Sequence, residues 1–339
     1  MPEAVTAKSP VDSPVDLAAA GAYIAGQQRA SGEIPWSAAN LCDPWDHVES
    51  AMGLTAAGFL PQARRAYLWS AGAQLADGSW WSEYWNGVPS PQARQDANMS
   101  AYIAVGVYHY YLCTGDRAFL ARMRPVVERA MEFVIGLQND QGAIRWARRA
   151  DGSVSERTLL TGSCSIYFSL GCALEIAAAL GLKRPGWRLA RRRLGRAIRG
   201  KPHLFDQSKS RYAMDWFYPV LSGALRGSRA AQRIDDSWDV FCRAGWGVRC
   251  VRDQEWFTMA ETAELTMALC ALGRFRAAQE ALGWIAGRRY EDGAYMTGVT
   301  YPQEAVYTRE KTTWTAAAVI LAADVVYGLT PAGRLYRSP

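Results

Sequence analysis

Histidine is scarce in this chain, and cysteine is present only as scattered single residues. Of 339 residues three are histidine (His47, His109 and His203), and the seven cysteines (Cys42, Cys113, Cys164, Cys172, Cys242, Cys250 and Cys270) are odd in number and widely spaced. With no Cys-x-x-Cys pair, the pattern argues against a structural zinc site or a disulfide framework. The thiols are therefore expected to be reduced, in a cytoplasmic protein that holds no metal and no cofactor. Long apolar runs are missing too. The longest, Trp314 to Leu329, has 16 residues and carries Asp324, too short and too polar for a bilayer span. Charge is sparse at 21%, and the excess of cations is only 38 − 32 = +6. With no stacking or zinc module in view, nucleic acid is not an expected partner. The first 16 residues lack the basic and apolar regions of a signal peptide and read as a disordered N-terminal tail, leaving 17–339 as one domain.

What the chain does have is apolar and aromatic mass, with 50% hydrophobic residues, 14 Trp and 16 Tyr. Strand signals are nearly absent, whereas helical periodicity recurs from end to end. Twelve helices are predicted, spanning roughly 17–30, 46–58, 61–76, 96–114, 116–138, 161–180, 186–200, 213–225, 228–242, 259–272, 274–289 and 311–328. The connections between them alternate in length. Short links such as Thr114-Gly115-Asp116 follow the even helices, and long segments (31–45, 77–95, 139–160, 201–212, 243–258 and 290–310) follow the odd ones. Long loops inside a compact domain are usually functional. The alternation predicts six antiparallel hairpins closed into a ring, with all long loops on one face.

A repeat supports the ring. Gln74 to Trp80 has Gln, three residues, Gly, one residue and Trp, and the spacing recurs at Gln28/Gly32, Gln138/Gly142 and Arg289/Gly293. Such self-similarity marks stacked units, with the polar residue bonding the end of an outer helix and the glycine making the turn. The pattern resembles the α/α-toroid superfamilies, both the terpenoid cyclases and protein prenyltransferases with their Gln-Trp repeats and the six-hairpin glycosidases. The fold expected is therefore an all-α (α/α)6 toroid.

Ten of the fourteen tryptophans lie in or beside the long loops. Among these, Trp45, Trp80, Trp81, Trp216, Trp256 and Trp314, together with Tyr218 and Tyr295, are candidate walls of a substrate cavity. The cluster Asp43-Pro44-Trp45-Asp46-His47-Val48-Glu49 opens the second helix. It serves both as helix-start chemistry and as a source of titratable groups, of which one or two should face the ring interior. It resembles the Asp-Leu-Trp-Glu-Glu run of glucoamylase-type enzymes, whose first Glu is the general acid; Asp46 stands in that place. Lys311 to Ala318 resembles the same family's Leu-Thr-Trp-Ser-Tyr-Ala-Ala run. Counting back from it, the family's catalytic base falls on Thr297, so the resemblance implies that Glu304 or Glu310 supplies the base or that the reaction differs.

Further polar candidates sit at other helix starts: Asp96 with Asn98, Asp215, and Glu261 with Glu264. With Asp43 and His47 they are expected to floor a sugar-binding cavity. Asp96 is also a candidate catalytic group, because Asp46 and Asp96 on successive inner helices resemble the two aspartates of six-hairpin unsaturated-glucuronyl hydrolases. The acid of a class II cyclase is missing, since Arg233-Ile234-Asp235-Asp236 lacks the first Asp of Asp-x-Asp-Asp. His109 and Cys113 fall on one helix face without a third zinc ligand. Finally, Lys183 to Lys201 holds nine basic residues and no acid. This amphipathic outer helix suggests weak contact with anionic lipid or an acidic partner. The expected function is acid/base cleavage or modification of a small-molecule or oligosaccharide substrate. The alternatives are an isoprenoid cyclase or transferase, and a non-catalytic glycan-binding or scaffold toroid.

Overall fold

The computed structural model describes residues 13–337. Most of the expected tail lies outside the described residues. From Ser13 onward the chain is engaged, since Val15 is buried and the Asp16 carboxylate caps the first helix by accepting the Ala19 N–H at 3.0 Å. The helices are α1 (Leu17–Gln27), α2 (Pro44–Ala56), α3 (Leu60–Ala73), α4 (Ala97–Ala101), α5 (Ile103–Thr114), α6 (Arg117–Gly136), α7 (Leu160–Ala179), α8 (Pro185–Gly200), α9 (Ala213–Leu221), α10 (Gly227–Asp235), α11 (Trp238–Phe241), α12 (Met259–Ala271), α13 (Phe275–Ala286) and α14 (Thr313–Tyr327). Every predicted helix is present. The predicted 96–114 helix is broken into α4 and α5 by a tightened turn, where the Val105 N–H bonds Tyr102 O at 2.9 Å. The predicted 228–242 helix ends early, at Asp235, and is followed by the short α11.

Two concentric layers follow from burial. Eleven of the thirteen residues of α2 and twelve of the thirteen of α12 are buried, against four of the fourteen of α3, so α2 and α12 are inner helices and α3 is an outer one. The inner helices touch in the order α2, α5, α7, α9, α12, α14 and back to α2, which closes the ring. Small residues permit this approach: a Cβ on Gly53 would lie 2.8 Å from the Ala317 Cβ. The structure is therefore an all-α, six-hairpin toroid.

The repeated corners join the outer layer. Gln28 Nε2 donates to Gly32 O and to Gln62 O of α3, Gln74 Nε2 to Gly78 O and Val126 O of α6, and Gln138 Nε2 to Gly142 O and Ala190 O of α8, all at 2.9–3.0 Å. At each corner the glycine abuts the next outer helix. Gly78 has φ +92°, and a Cβ there would stand 2.1 Å from Arg129 O, so both conformation and space demand glycine.

Short strands in the long loops were not expected: β1 (Tyr84–Trp85), β2 (Val88–Pro89), β3 (Gln95–Asp96), β4 (Ala147–Arg148), β5 (Cys242–Arg243), β6 (Gly247–Arg249), β7 (Trp256–Thr258) and β8 (Gly298–Thr300). At two or three residues each they are too short to show an alternating pattern. They stitch neighbouring loops together. Cys42 bridges Tyr84, β3 pairs with β4, Asp206 N–H bonds Thr158 O, Tyr212 bridges Val251, β7 pairs with β8, and Thr313 N–H returns to Trp36 O at 2.7 Å. The six long loops thus form a continuous hydrogen-bonded collar around the N-terminal ends of the inner helices. At the opposite end, residues Pro331–Tyr336 form a 3-10 segment that packs against α5, α12 and α14 and buries Tyr336.

Candidate active site

The collar encircles the first turns of α2 and α12. Asp43 is the N-cap of α2: its Oδ1 accepts the N–H groups of Trp45 (2.8 Å) and Asp46 (2.9 Å), and its Oδ2 accepts the Trp36 indole N–H at 2.5 Å. Pro44 at the first helical position fits the same start signal. One turn of helix then sends Asp46 and Glu49 toward the axis, three residues apart on one face. Trp45 packs on Tyr102 (ring centroids 5.6 Å) and edge-on to Tyr218 (5.8 Å), so three aromatic rings wall the cup. From the other side α12 presents Glu261 and Glu264, both buried.

Four carboxyl groups, on α2 and α12, share this interior, and the electrostatics follow from that crowding. Burial pushes Asp46 well above the ordinary carboxylate range, and the charges of Asp43, Glu49 and Glu264 add to the effect. A side-chain hydrogen bond between Asp46 and Asp43 raises the first and lowers the second, so the shared proton belongs on Asp46. Burial, then the Asp43 charge, lifts Glu49 to about 8, while a hydrogen bond from the Trp45 side chain opposes the shift. Glu264 is also held well above its ordinary value by burial, Glu49 and Glu261. Glu261 keeps a buried Oε2 without a hydrogen-bond partner, an acceptor available to a ligand or a water.

Glu49 makes the stability of the fold depend on pH. Its folded pKa lies above its ordinary value of 4.5, so between about pH 4.5 and pH 8 the folded chain binds the proton that the unfolded chain has lost. Stability from this group is complete below that window and falls as pH rises through it, by at most about 1.4 kcal/mol per pH unit. Glu49→Gln should therefore melt higher than the parent at pH 8 and level with it near pH 4.5. A variant that melts lower at pH 8 would refute the assignment.

Several predicted site residues lie elsewhere. His47 does not face the cup: its Nδ1 accepts the Ile34 N–H at 3.1 Å, its Nε2 lies 3.0 Å from Ala66 O, and burial lowers it to about 4. It is a neutral core histidine joining α2 to α3. Trp80 and Tyr295 are buried at corners, with the Trp80 indole N–H bonded to Ser70 O at 2.8 Å. Asp96 is at the collar end but caps α4, accepting the N–H groups of Asn98 (2.9 Å) and Met99 (3.2 Å), and Asn98 is buried beside it. Asp215 accepts the Thr161 N–H and hydroxyl. Trp216 donates to Arg233 O and stacks on Phe241. Both line a cavity of about 560 Å³ between α8, α9 and α10, outside the ring. It is distinct from the residues gathered on α2 and α12.

Neither suggested base is placed for that role. Glu304 is exposed, 3.8 Å from the Arg288 guanidinium. Glu310 is spent as a clasp, its Oε1 accepting the Ser37 hydroxyl at 3.0 Å and the Asn40 amide. Trp81, Trp256 and Trp314 remain half-buried, and Trp256 is fixed by its indole N–H to Tyr307 O. His109 is buried with both ring nitrogens unbonded, and Cys113 bonds Thr330. Among the described residues no three His, Cys, Asp or Glu side chains gather closely enough to hold a metal ion. Sequence reasoning missed Tyr102, which the one-turn spacing from Asn98 places on the inner face, and Tyr336, for which no periodic signal exists after the last helix.

No protein-family model matches the chain. A curated relative does: the MMP endo-(1,4)-3-O-methyl-alpha-D-mannosidase of Mycolicibacterium hassiacum is 47% identical over 314 residues, covering 93% of this chain and 87% of that protein. Among solved structures, a wild-type glycosidase superposes with a TM-score of 0.74 at 15% identity, over 94% of this chain and 97% of its own. A GH63 mannosylglycerate hydrolase from Thermus thermophilus, in complex with glucose, gives 0.72 at 10% identity, over 90% and 99%. These two share the fold, while the first shares sequence along nearly the whole domain. The chain thus belongs to the family of that mannosidase, as a carbohydrate-active, glycoside-hydrolase-like enzyme built on the six-hairpin α/α toroid.

Proposed function

We propose that the chain is an endo-acting hydrolase of α-(1,4)-linked mannosides carrying 3-O-methyl groups, with Asp46 as general acid and Glu261 as general base. The observation that carries the reading is the meeting of α2 and α12: burial and the charges of Asp43, Glu49 and Glu264 favour a proton on Asp46, and Glu261, one turn before Glu264, keeps a buried Oε2 without a partner, with the rings of Trp45, Tyr102 and Tyr218 packed together nearby. Asp46 gives its proton to the glycosidic oxygen as the C–O bond breaks. Glu261 takes a proton from a water whose oxygen bonds the anomeric carbon from the opposite face. Such a displacement inverts the anomer. The Trp45, Tyr102 and Tyr218 surfaces favour sugars bearing methyl ethers, which add apolar area to each ring face. The relative's substrate supports the same choice.

Incubation with α-(1,4)-mannose oligomers, with and without 3-O-methyl groups, should release shorter oligomers only from the methylated series. Cleavage of unmethylated oligomers at an equal rate would remove the methyl specificity, and cleavage of neither series would remove the reading.

The basic helix α8 keeps a narrower role in the proposal. Five cations on or flanking it have local partners: Arg184 pairs with Glu128, and Arg191, Arg193, Arg199 and Lys201 donate to backbone carbonyls. Contact with anionic lipid or an acidic partner is left to the exposed stripe Arg188, Arg192 and Arg196. Failure to co-sediment with phosphatidylserine vesicles at low salt would remove the lipid contact.

A further inference from the structure

At the end of the ring opposite the collar lies a cavity of about 400 Å³, set among α5, α7, α8 and the C-terminal 3-10 segment. Its charge is one-sided. Arg191 of α8, Arg226 of the α9–α10 link and Arg334 of the terminal segment all line it, and Glu175 is the single carboxylate on its wall. Among the described residues none of the three arginines forms an ion pair, although fourteen such pairs occur elsewhere in the molecule. Three cations converging on one concavity repel one another unless an anion joins them.

Arg191 is held for such a task. Its Nε donates to Tyr167 O at 3.0 Å and its guanidinium lies 4.1 Å over the Tyr167 ring. Gly171 makes the room, since a Cβ there would stand 3.2 Å from one amino nitrogen of Arg191. Arg226 is likewise fixed by Nε to Gly223 O at 3.2 Å. The remaining wall is apolar, chiefly Phe168, Leu112 and Leu335. A fork of guanidiniums over an apolar floor matches a carboxylate or phosphate joined to a hydrophobic group, and the volume suits a molecule of that kind.

We propose that this distal cavity binds a small organic anion, its carboxylate or phosphate held by Arg191, Arg226 and Arg334 and its apolar part laid on Phe168 and Leu335. The occupant would touch the structure beneath the cup, because Phe168 also packs on Tyr336 at 5.2 Å between ring centroids. The inference stands apart from the hydrolase reading and does not depend on it.

Calorimetric titration of the full chain with phenyl phosphate, benzoate and inorganic phosphate tests it, with melting temperature as a second readout. Phenyl phosphate or benzoate should bind more tightly than inorganic phosphate, and whichever of the two binds better identifies the acid group. Arg226→Ala and Arg334→Ala remove exposed side chains and should fold normally; each should weaken binding about tenfold, the scale of one charge-assisted hydrogen bond. Glu175→Gln should tighten it by relieving repulsion. Absence of binding by either organic anion up to about 10 mM, or affinities unchanged in both arginine variants, would overturn the proposal.

Discussion

Asp46→Asn should lower turnover at least about a hundredfold while leaving substrate binding close to that of the parent and, by the linkage argued for Glu49, the melting temperature at neutral pH no lower than the parent's. A general acid must carry a proton at working pH, and burial together with the negative charges of Asp43, Glu49 and Glu264 holds it on Asp46. Asparagine keeps the size of the group and can donate an amide N–H to Asp43, so the first turn of α2 retains its order. What is lost is a transferable proton. The effect should depend on the leaving group. With an aryl mannoside, whose phenolate departs without protonation, most of the lost rate should return, whereas a purely structural role for Asp46 predicts no such recovery. Turnover of the natural linkage within about threefold of the parent would remove Asp46 from the mechanism.

The ring was legible because three independent signals agreed: helical period, alternating loop length, and the Gln-Gly corners at Gln28, Gln74 and Gln138. Each is a local device repeated along the chain, and local devices survive in sequence. The collar was not legible. Its strands hold two or three residues, and their partners lie in other loops, so pairing such as Asp96 with Ala147 depends on closure of the ring. Of the candidate site residues, only some are gathered in one place. Asp43, Trp45, Asp46, Tyr218, Glu261 and Glu264 are brought together, because each occupies the first turns of an inner helix and points where the helical phase sends it. His47, one residue from Asp46, is turned by that same phase into the α2–α3 interface. Asp96 and Asp215 shared the acidic helix-start signature but use it locally, one as a cap and the other as an acceptor for Thr161. An acid at a helix start looks alike in sequence whether it caps or faces a cavity.

Glu261, the proposed base, offers the second large effect, and it lies away from the position to which the motif comparison points. Thr297, where glucoamylase-type enzymes carry their base, is buried with its hydroxyl donated to Glu310 O at 2.7 Å. Its own carbonyl accepts the Met259 N–H at 3.1 Å, two residues before Glu261. The segment that carries Thr297 is thus hydrogen-bonded to the start of α12, the helix whose first turn carries Glu261. Glu261→Gln should therefore lose at least about a hundredfold in kcat with little change in KM, since the base acts on water and not on the sugar. Folding should be preserved, because Gln is isosteric and Oε2 has no partner to lose. A truncated Glu261→Ala leaves space for a small anion. Added azide should then attack the anomeric carbon directly, restoring turnover with an activated mannosyl donor and giving a mannosyl azide of inverted configuration. Glu264 is the internal control. Burial and its neighbours keep it protonated and unfit to accept a proton, so Glu264→Gln should retain turnover within about tenfold of the parent. If the Glu264 variant is the one that fails and azide rescues only that site, the base lies one helical turn deeper and the assignment of Glu261 is wrong.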